Sequence, residues 1–484
     1  MERDRFIDTI RVLAVLVVVF GHWTATSVTW DGGVIVGDSA LALVPESHLA
    51  TWLLQVMPLL FFIGGFANAR SYSLHGTYLS YLQTRLRRLL SPTLVFIALW
   101  IIVAALAEVL PLPDPNLVDR GADIAALPFW FVGLYVIVVS LAPAMLTMHK
   151  RWRWRVPFAL VCGAITVDVL VYGLGLTGLG VANYAFVWLL PHQLGFFYAE
   201  RLPVGRATLW ASAASGFTAL VLLTTIGGYP VSMIFVPGAE RGNTEPPSFA
   251  IVAVVALLLA GALLAKPWVE SYESRWLTRL NRVPLSLYLW HVSAIPIAVA
   301  IIYPLGFPQH GIGSAGWWLW RVVWLLVLAA VLAAIVTAVA RFEIHPEPAA
   351  IVQAVPDPRR IPVALIGVVL VAISLLGFGV TGFNRPLTDT GEGLLGFTMN
   401  PALNSVHLII GVTVLAVALV AGSAVLSSVA VGGALLLAIG VAGIQDGLSA
   451  LGSNAATSIL DVVIGAVLVM VSIPRSGGDS TVQA

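Results

Sequence analysis

Fourteen times between residues 10 and 473 the sequence runs for roughly 20 residues with scarcely a charge, long enough to cross about 30 Å of hydrocarbon as a helix. No other feature constrains the fold so tightly. Backbone in lipid must satisfy its own N–H and C=O groups, and a run of this length does so as an α-helix. The windows lie at 10–29, 50–69, 92–110, 128–147, 156–173, 182–199, 208–227, 249–265, 284–303, 317–340, 361–380, 404–422, 424–444 and 453–473. With 59% hydrophobic and only 10% charged residues, and a mean hydropathy of +0.95, the chain falls outside every soluble globular class. The expected fold is an all-α polytopic integral membrane protein.

Basic residues orient the spans, because cytoplasmic loops carry the excess of Lys and Arg. With the N-terminus inside, 21 of the 25 fall in inner segments, and the outer loops hold Arg120, Arg241 and Arg385. Arg321 lies just inside a span. Both termini are therefore expected in the cytoplasm, and reversing any one span spoils the alternation. The first window is too long for a cleavable signal peptide, carries charge inside, and lacks a small-x-small site. Cys162 is the only cysteine, so one chain builds neither a disulfide nor a thiolate cluster, and no metal is expected. A net charge of +1 gives no basis for nucleic-acid binding; membrane lipid is the expected partner.

All 16 Trp and all 11 Tyr precede residue 325, which marks a fusion of two modules. The seam is the charged, proline-bearing stretch RFEIHPEPAAIVQAVPDPRR at 341–360, which cannot propagate a helix through its prolines. The expected organisation is a ten-span domain at 1–342, a cytoplasmic linker at 343–360, a four-span domain at 361–475 and a tail at 476–484. Within the second domain NSVHLIIG at 404–411 echoes SILDVVIG at 458–465, which reads as an internal repeat of two helices or as chance likeness among Val/Ile/Gly-rich helices.

Polar residues inside the spans carry the functional reading. In RFIDTIRVLAVLVVVFGHW at 5–23, eleven residues separate Arg11 from His22, which returns the helix to nearly the same face about 16 Å further along. Asp8 sits one turn before Arg11. A carboxylate, a guanidinium and an imidazole thus form one stripe from the cytoplasmic surface to mid-membrane, and buried ionisable groups there mark a path, a relay or chemistry. The alternative is that His22 merely bonds a neighbouring helix while Arg11 reaches the headgroups. At the end of the second span Gly64 and Gly65 let another backbone or a ligand approach closely. Arg85, Arg87 and Arg88 in RLRRLLSP suit the phosphates of a cytosolic cofactor, or plain contact with lipid headgroups. In NRVPLSLYLWHV the residues Ser286, Tyr288 and His291 lie within two turns of a cytoplasmic end. His192, Asp168 and Asn183 read as bundle-stabilising groups unless they share a cavity with His22.

Together these pieces resemble the membrane acyltransferases of the acyltransferase-3 family, over residues 3–342. The likeness rests on RDRFIDTIRVLAVLVVVFGHW, PLLFFIGGF, RLRRLLSP, LPFWFVGLYVIVV and PLSLYLWHV in that order on a ten-helix chain. It implies transfer of a short acyl group, usually acetyl, from acyl-CoA to a hydroxyl of a cell-envelope glycan or lipid-linked sugar. It also implies essential roles for Arg11 and His22, and an R-x-x-R pair at Arg85 and Arg88. Many members have a glutamate in the fourth span; counted from Trp130, this chain has Tyr135 there, which points to a different substrate branch. The tail resembles an uncharacterised four-helix bacterial membrane domain with an N-P-x-x-N-x-x-H pattern, here Asn400, Pro401, Asn404 and His407, whose second copy has Asp461 in place of histidine.

The chemistry of the residues agrees with that likeness. Attack on a thioester needs a base, and imidazole titrates near neutrality. His22 is thus expected as base or acyl carrier, Arg11 as the group that orients the donor, and Asp8 as its support. Arg85, Arg88 and Arg87 would hold CoA phosphates. The rival readings are a proton-coupled transporter and a lipid-binding scaffold. An Arg-to-Lys ratio of 23 to 2 and the Ala/Val/Gly richness point to a bacterial inner membrane.

Overall fold

A computed structural model of the chain describes residues 4–31, 34–109, 115–343, 359–383, 393–394, 397–420, 429–444 and 454–472. Each of the fourteen windows overlaps a helix among the described residues. In the first module these are α1 (Arg5–Ala25), α2 (Met57–Leu74), α3 (Tyr78–Val109), α4 (Phe129–Trp152), α5 (Arg155–Asp168), α6 (Asn183–Ala199), α7 (Arg206–Thr225), α8 (Phe249–Ser271), α9 (Pro284–Trp290), α10 (Ala294–Ile302) and α11 (Ala315–Val339). The tail adds α12 (Arg360–Thr381), α13 (Pro401–Val420), α14 (Val429–Ile444) and α15 (Ala455–Ser472). Among the described residues eleven helices are long and apolar enough to cross a membrane, and α9 with α10, bent by 56° at a break, passes the same test when the two are taken as one span. The two remaining windows, 182–199 and 424–444, hold the shorter α6 and α14, with 17 and 16 residues.

The first span ends sooner than its hydropathy predicts. Asp4 starts α1, its carboxylate accepting from the Ile7 N–H at 3.0 Å, but the helix stops at Ala25. There the stretch TSVT, β-branched at Thr26, Val28 and Thr29, turns the chain into an antiparallel hairpin of β1 (Thr26–Asp31) and β2 (Val34–Ser39). Side chains occupy peptide groups along β1. Gln309 accepts from the Trp30 N–H at 2.6 Å and donates to the Trp30 carbonyl at 3.2 Å, and the Tyr303 hydroxyl donates to the Val28 carbonyl at 2.6 Å.

Packing divides the chain into two compact units. One takes Met1–Leu74, Arg88–Ala125 and Leu141–Pro346; the other takes His75–Arg87, Ala126–Ser140 and Glu347–Ala484. Two stretches of the ten-span domain, 75–87 and 126–140, therefore group with the tail, which a boundary drawn on composition does not show. The reason is close packing on α12. A Cβ at Gly133 would meet the Leu376 side chain at 2.9 Å, and the Phe129 ring lies 5.8 Å from that of Phe383.

Within each unit the tightest helix pairs meet at glycine, as expected where lipid offers no hydrophobic drive and association depends on close contact. In the first unit Gly65 of α2 faces the His192 carbonyl of α6, while Gly195 of α6 faces the backbone of Phe62 and Phe66. Gly216 of α7 lies against Ala253 and Leu257 of α8 in the same way. In the second unit Gly367 and Gly411 join α12 to α13, and Gly433 and Gly465 join α14 to α15.

The echo between α13 and α15 extends into three dimensions. Asn400 and Asn454 each accept from the N–H three residues on, Leu403 at 2.7 Å and Thr457 at 2.9 Å, so both helices begin with the same cap. Gly411 and Gly465 occupy matching positions and serve the same purpose. His407 and Asp461, also at matching positions, are both buried and meet each other, Nε2 to Oδ1 at 2.8 Å. Two helix pairs of one design thus close around a polar contact that neither makes alone.

Two outcomes test this packing. Gly195→Val should lower stability by about 1–3 kcal/mol through overpacking, seen as a lower melting temperature in detergent, while Gly261→Val, with nothing within 4 Å, should change little. Asp461→Ala should cost about 3–5 kcal/mol, as expected when one member of a buried ionisable pair is removed, and Asp461→Asn distinctly less.

Candidate active site

On α1, Asp8 and Arg11 are joined to each other and to a residue from another part of the chain. Arg11 Nη1 donates to Asp8 Oδ1 at 3.4 Å and to Asn281 Oδ1 at 3.1 Å. The first bond is the i,i+3 pair visible in the sequence. Asn281 comes from the turn after the short helix Arg275–Leu280, and sequence spacing gave no sign of it. Beside this end lies a cleft of about 580 Å³, lined by Arg5, Asp8, Thr9, Tyr272, Arg275 and Thr278 among others. Arg5 forms an ion pair with Glu273 on its rim.

His22 lies in the last turn of α1, roughly 16 Å above Arg11. The helix ends three residues further on, at Ala25, and the hairpin begins at Thr26. His22 is half-buried, and its partner is His291, fully buried at the break between α9 and α10. His22 Nδ1 and His291 Nε2 are 2.7 Å apart, and the rings stack with centroids 5.0 Å apart at 24°. On its other side His291 Nδ1 is 2.5 Å from the Tyr288 carbonyl oxygen.

These two contacts decide where the protons are. A carbonyl oxygen can only accept, so His291 Nδ1 carries hydrogen and donates it. In a neutral ring Nε2 is then a bare acceptor, so His22 Nδ1 must donate to it. That leaves the lone pair of His22 on Nε2, the nitrogen directed away from the pair.

The surrounding groups hold this geometry by satisfying backbone that the spans leave open. Trp23 Nε1 donates to the His291 carbonyl at 2.7 Å, and Trp100 Nε1 to Ser293 Oγ at 3.0 Å. At the end of α1, where carbonyls lack helical partners, buried Arg321 donates to the carbonyls of Trp23 at 2.9 Å, Thr24 at 3.0 Å and Thr26. Its guanidinium lies 4.5 Å over the Trp317 ring. Arg321 was visible in the sequence only as an arginine inside a span, a signal that should be weighted more heavily. At the opposite end of α9, Glu343 accepts from the N–H groups of Leu285 at 2.9 Å and Ser286 at 2.7 Å. Burial pushes this carboxyl up, and those hydrogen bonds oppose the shift.

The remaining expected residues divide differently. Ser286, Tyr288 and His291 do belong to one element, with Ser286 held at Glu343 and Tyr288 supplying the carbonyl under His291. His192 does not join His22; its Nε2 is 3.1 Å from Asn68 Nδ2, beside the α2–α6 crossing. Gly65 needs correction as a cofactor contact, because the group that uses its missing side chain is the backbone of α6. Gly64 is buried in the same turn. In the second unit Arg85 Nη2 donates to the Tyr135 hydroxyl at 3.2 Å, and Tyr135 stacks on Phe131 at 5.4 Å. Tyr135 is thus an uncharged partner of Arg85. Arg87 and Arg88 are exposed. Asp168 has a structural role, accepting from Asn183, Tyr229 and the Phe249 N–H at the start of α8. Among the described residues no three His, Cys, Asp or Glu side chains come together to hold a metal ion.

A family model described as an acyltransferase domain matches residues 4–340, and one described as a domain of unknown function matches residues 360–473. No curated protein and no solved structure matches the chain.

The backbone role of Arg321 gives a direct test. Arg321→Met should destabilise the protein by about 2–3 kcal/mol, the scale of hydrogen bonds made by a charged group. Arg321→Lys should recover only part of this, because one ammonium replaces a planar fork. Thermal unfolding in detergent reads both.

Proposed function

The chain belongs to the acyltransferase-domain family through residues 4–340, and from that premise we propose that it moves a short acyl group, acetyl in the simplest case, from cytosolic acyl-CoA to a hydroxyl of a cell-envelope glycan or lipid-linked sugar. The observation that carries this reading is the bare Nε2 of His22, left free by the 2.7 Å contact of its other nitrogen with His291. A base needs that lone pair.

The reaction follows from the layout. If the Arg11 end is cytoplasmic, as the distribution of Lys and Arg leads one to expect, the 580 Å³ cleft would open to the side where CoA thioesters are made. The flexible arm of the donor would carry the thioester along the stripe toward His22. Arg11, held by Asp8 and Asn281, would orient the donor. As the acceptor oxygen attacks the thioester carbon, its proton passes to His22 Nε2. The C–O bond forms, the C–S bond breaks, and the leaving thiolate takes the proton back, giving ester and free thiol. In the variant in which His22 carries the acyl group, the same nitrogen attacks first. His22 lies in the last turn of α1, which with the Arg11 end inside would be the turn that an acceptor on the envelope side meets. The setting that goes with this reading is a bacterial cytoplasmic membrane.

The broken α9–α10 span is also a feature of carriers, which gives the transporter reading one observation in its favour. Purified protein in nanodiscs with labelled acetyl-CoA and envelope glycan separates the two. Acyl transfer and CoA release are expected, and His22→Ala should reduce transfer roughly 10²-fold or more. Transfer at the unmutated level in a properly inserted His22→Ala protein would remove His22 from the chemistry, and solute flux in vesicles without transfer would favour the carrier.

A further inference from the structure

Resting on that reading, we infer that His291 is a positioning residue that selects which nitrogen of His22 acts as the base. His291 is locked from both sides of the helix break. Its ring Nδ1 is bound to the Tyr288 carbonyl at 2.5 Å, and its own carbonyl is held by Trp23 Nε1 at 2.7 Å. Next along the chain but one, Ser293 is held by Trp100. A ring fixed in this way offers His22 only one atom, the acceptor Nε2. His22 answers with Nδ1–H, and its reactive lone pair is confined to Nε2.

The same chain of bonds acts during the reaction. As His22 Nε2 gains the acceptor's proton, positive charge spreads to Nδ1–H, which already points at the His291 lone pair. That lone pair is backed by the Tyr288 carbonyl through the far side of the ring. The arrangement does for His22 what a buried carboxylate does for the histidine of a Ser-His-Asp triad: it sets the tautomer and stabilises the imidazolium. A carboxylate here would put a net charge among apolar residues, at a cost of several kcal/mol. The span 284–305 contains no Asp, Glu, Lys or Arg, so a neutral imidazole is the partner the setting allows.

The break is what makes this possible. In an unbroken helix the Tyr288 carbonyl would be taken by a backbone N–H four residues on. The turn at 291–293 leaves that carbonyl to the His291 side chain and the His291 carbonyl to Trp23.

The test is kinetic and spectroscopic, on the full chain in nanodiscs. His291→Leu should lower kcat for transfer from acetyl-CoA about 100-fold with the donor KM within twofold, because the donor is bound elsewhere. His291→Gln, whose side-chain oxygen can accept from His22 Nδ1–H, should recover at least tenfold of that loss. Nitrogen NMR of histidine-labelled protein should show His22 protonated at Nδ1 and bare at Nε2, and redistributed between tautomers in His291→Leu. A wild-type His22 protonated at Nε2 overturns the inference, and so does full kcat in His291→Leu. Equal losses in the Leu and Gln variants with an unchanged His22 tautomer overturn it as well. If His291→Leu does not fold, the wild-type spectrum and the Gln variant decide alone. Failure of the underlying reading looks different: His22→Ala would then transfer normally.

Discussion

Inside hydrocarbon no water is available to a peptide group, so wherever a helical ladder opens, a side chain must close it. This requirement explains more of the structure than any single contact. It operates where α1 stops at Ala25 and three carbonyls turn to Arg321, and again where α9 gives way to α10 and two carbonyls turn to His291 and Trp23. The candidate active site sits between these two openings. The residues that repair the backbone are thus the ones that fix the catalytic candidate, and stability and chemistry share the same side chains.

A second constraint is the weakness of association between apolar helices in lipid. Where the driving force is contact alone, glycine at a crossing and a buried polar pair across it provide what packing of larger side chains does not. The α2–α6 crossing uses Gly65 and Gly195, with Asn68 and His192 beside them. The tail uses the same solution twice, with Gly367 and Gly411, then Gly433 and Gly465, and joins the copies through His407 and Asp461. The substitution of Asp461 at the position matching His407 makes sense in this light. Two identical imidazoles would offer each other a weaker partnership than an imidazole and a carboxylate, whose hydrogen bond is charge-assisted when either is ionised.

Much of the fold was legible from hydropathy, because the length of a span is dictated by the thickness of the bilayer and not by neighbouring helices. The Asp8–Arg11 pair was legible for a similar reason, being set by helical period. Hydropathy does not report where a ladder breaks. The window 10–29 runs past the end of α1 into the start of a hairpin, and 284–303 reads as one span but bends by 56° at the histidine that the site depends on. The paired glycines at 64–65 left open whether a ligand or a backbone would use the space; packing against α6 answers that. Arg85 and Tyr135 stood in the sequence as separate candidates and prove to be partners.

What the amino-acid order determined alone is local: which segments are long and apolar enough to cross, and the stripe of Asp8, Arg11 and His22 along one helix. These depend on periods and lengths that a helix imposes wherever it is placed. The identity of the base nitrogen was decided only by the tertiary structure. His22 and His291 are 269 residues apart, and a proton's place in an imidazole pair is set by which atoms face each other, a matter of distance and direction that no spacing along the chain records.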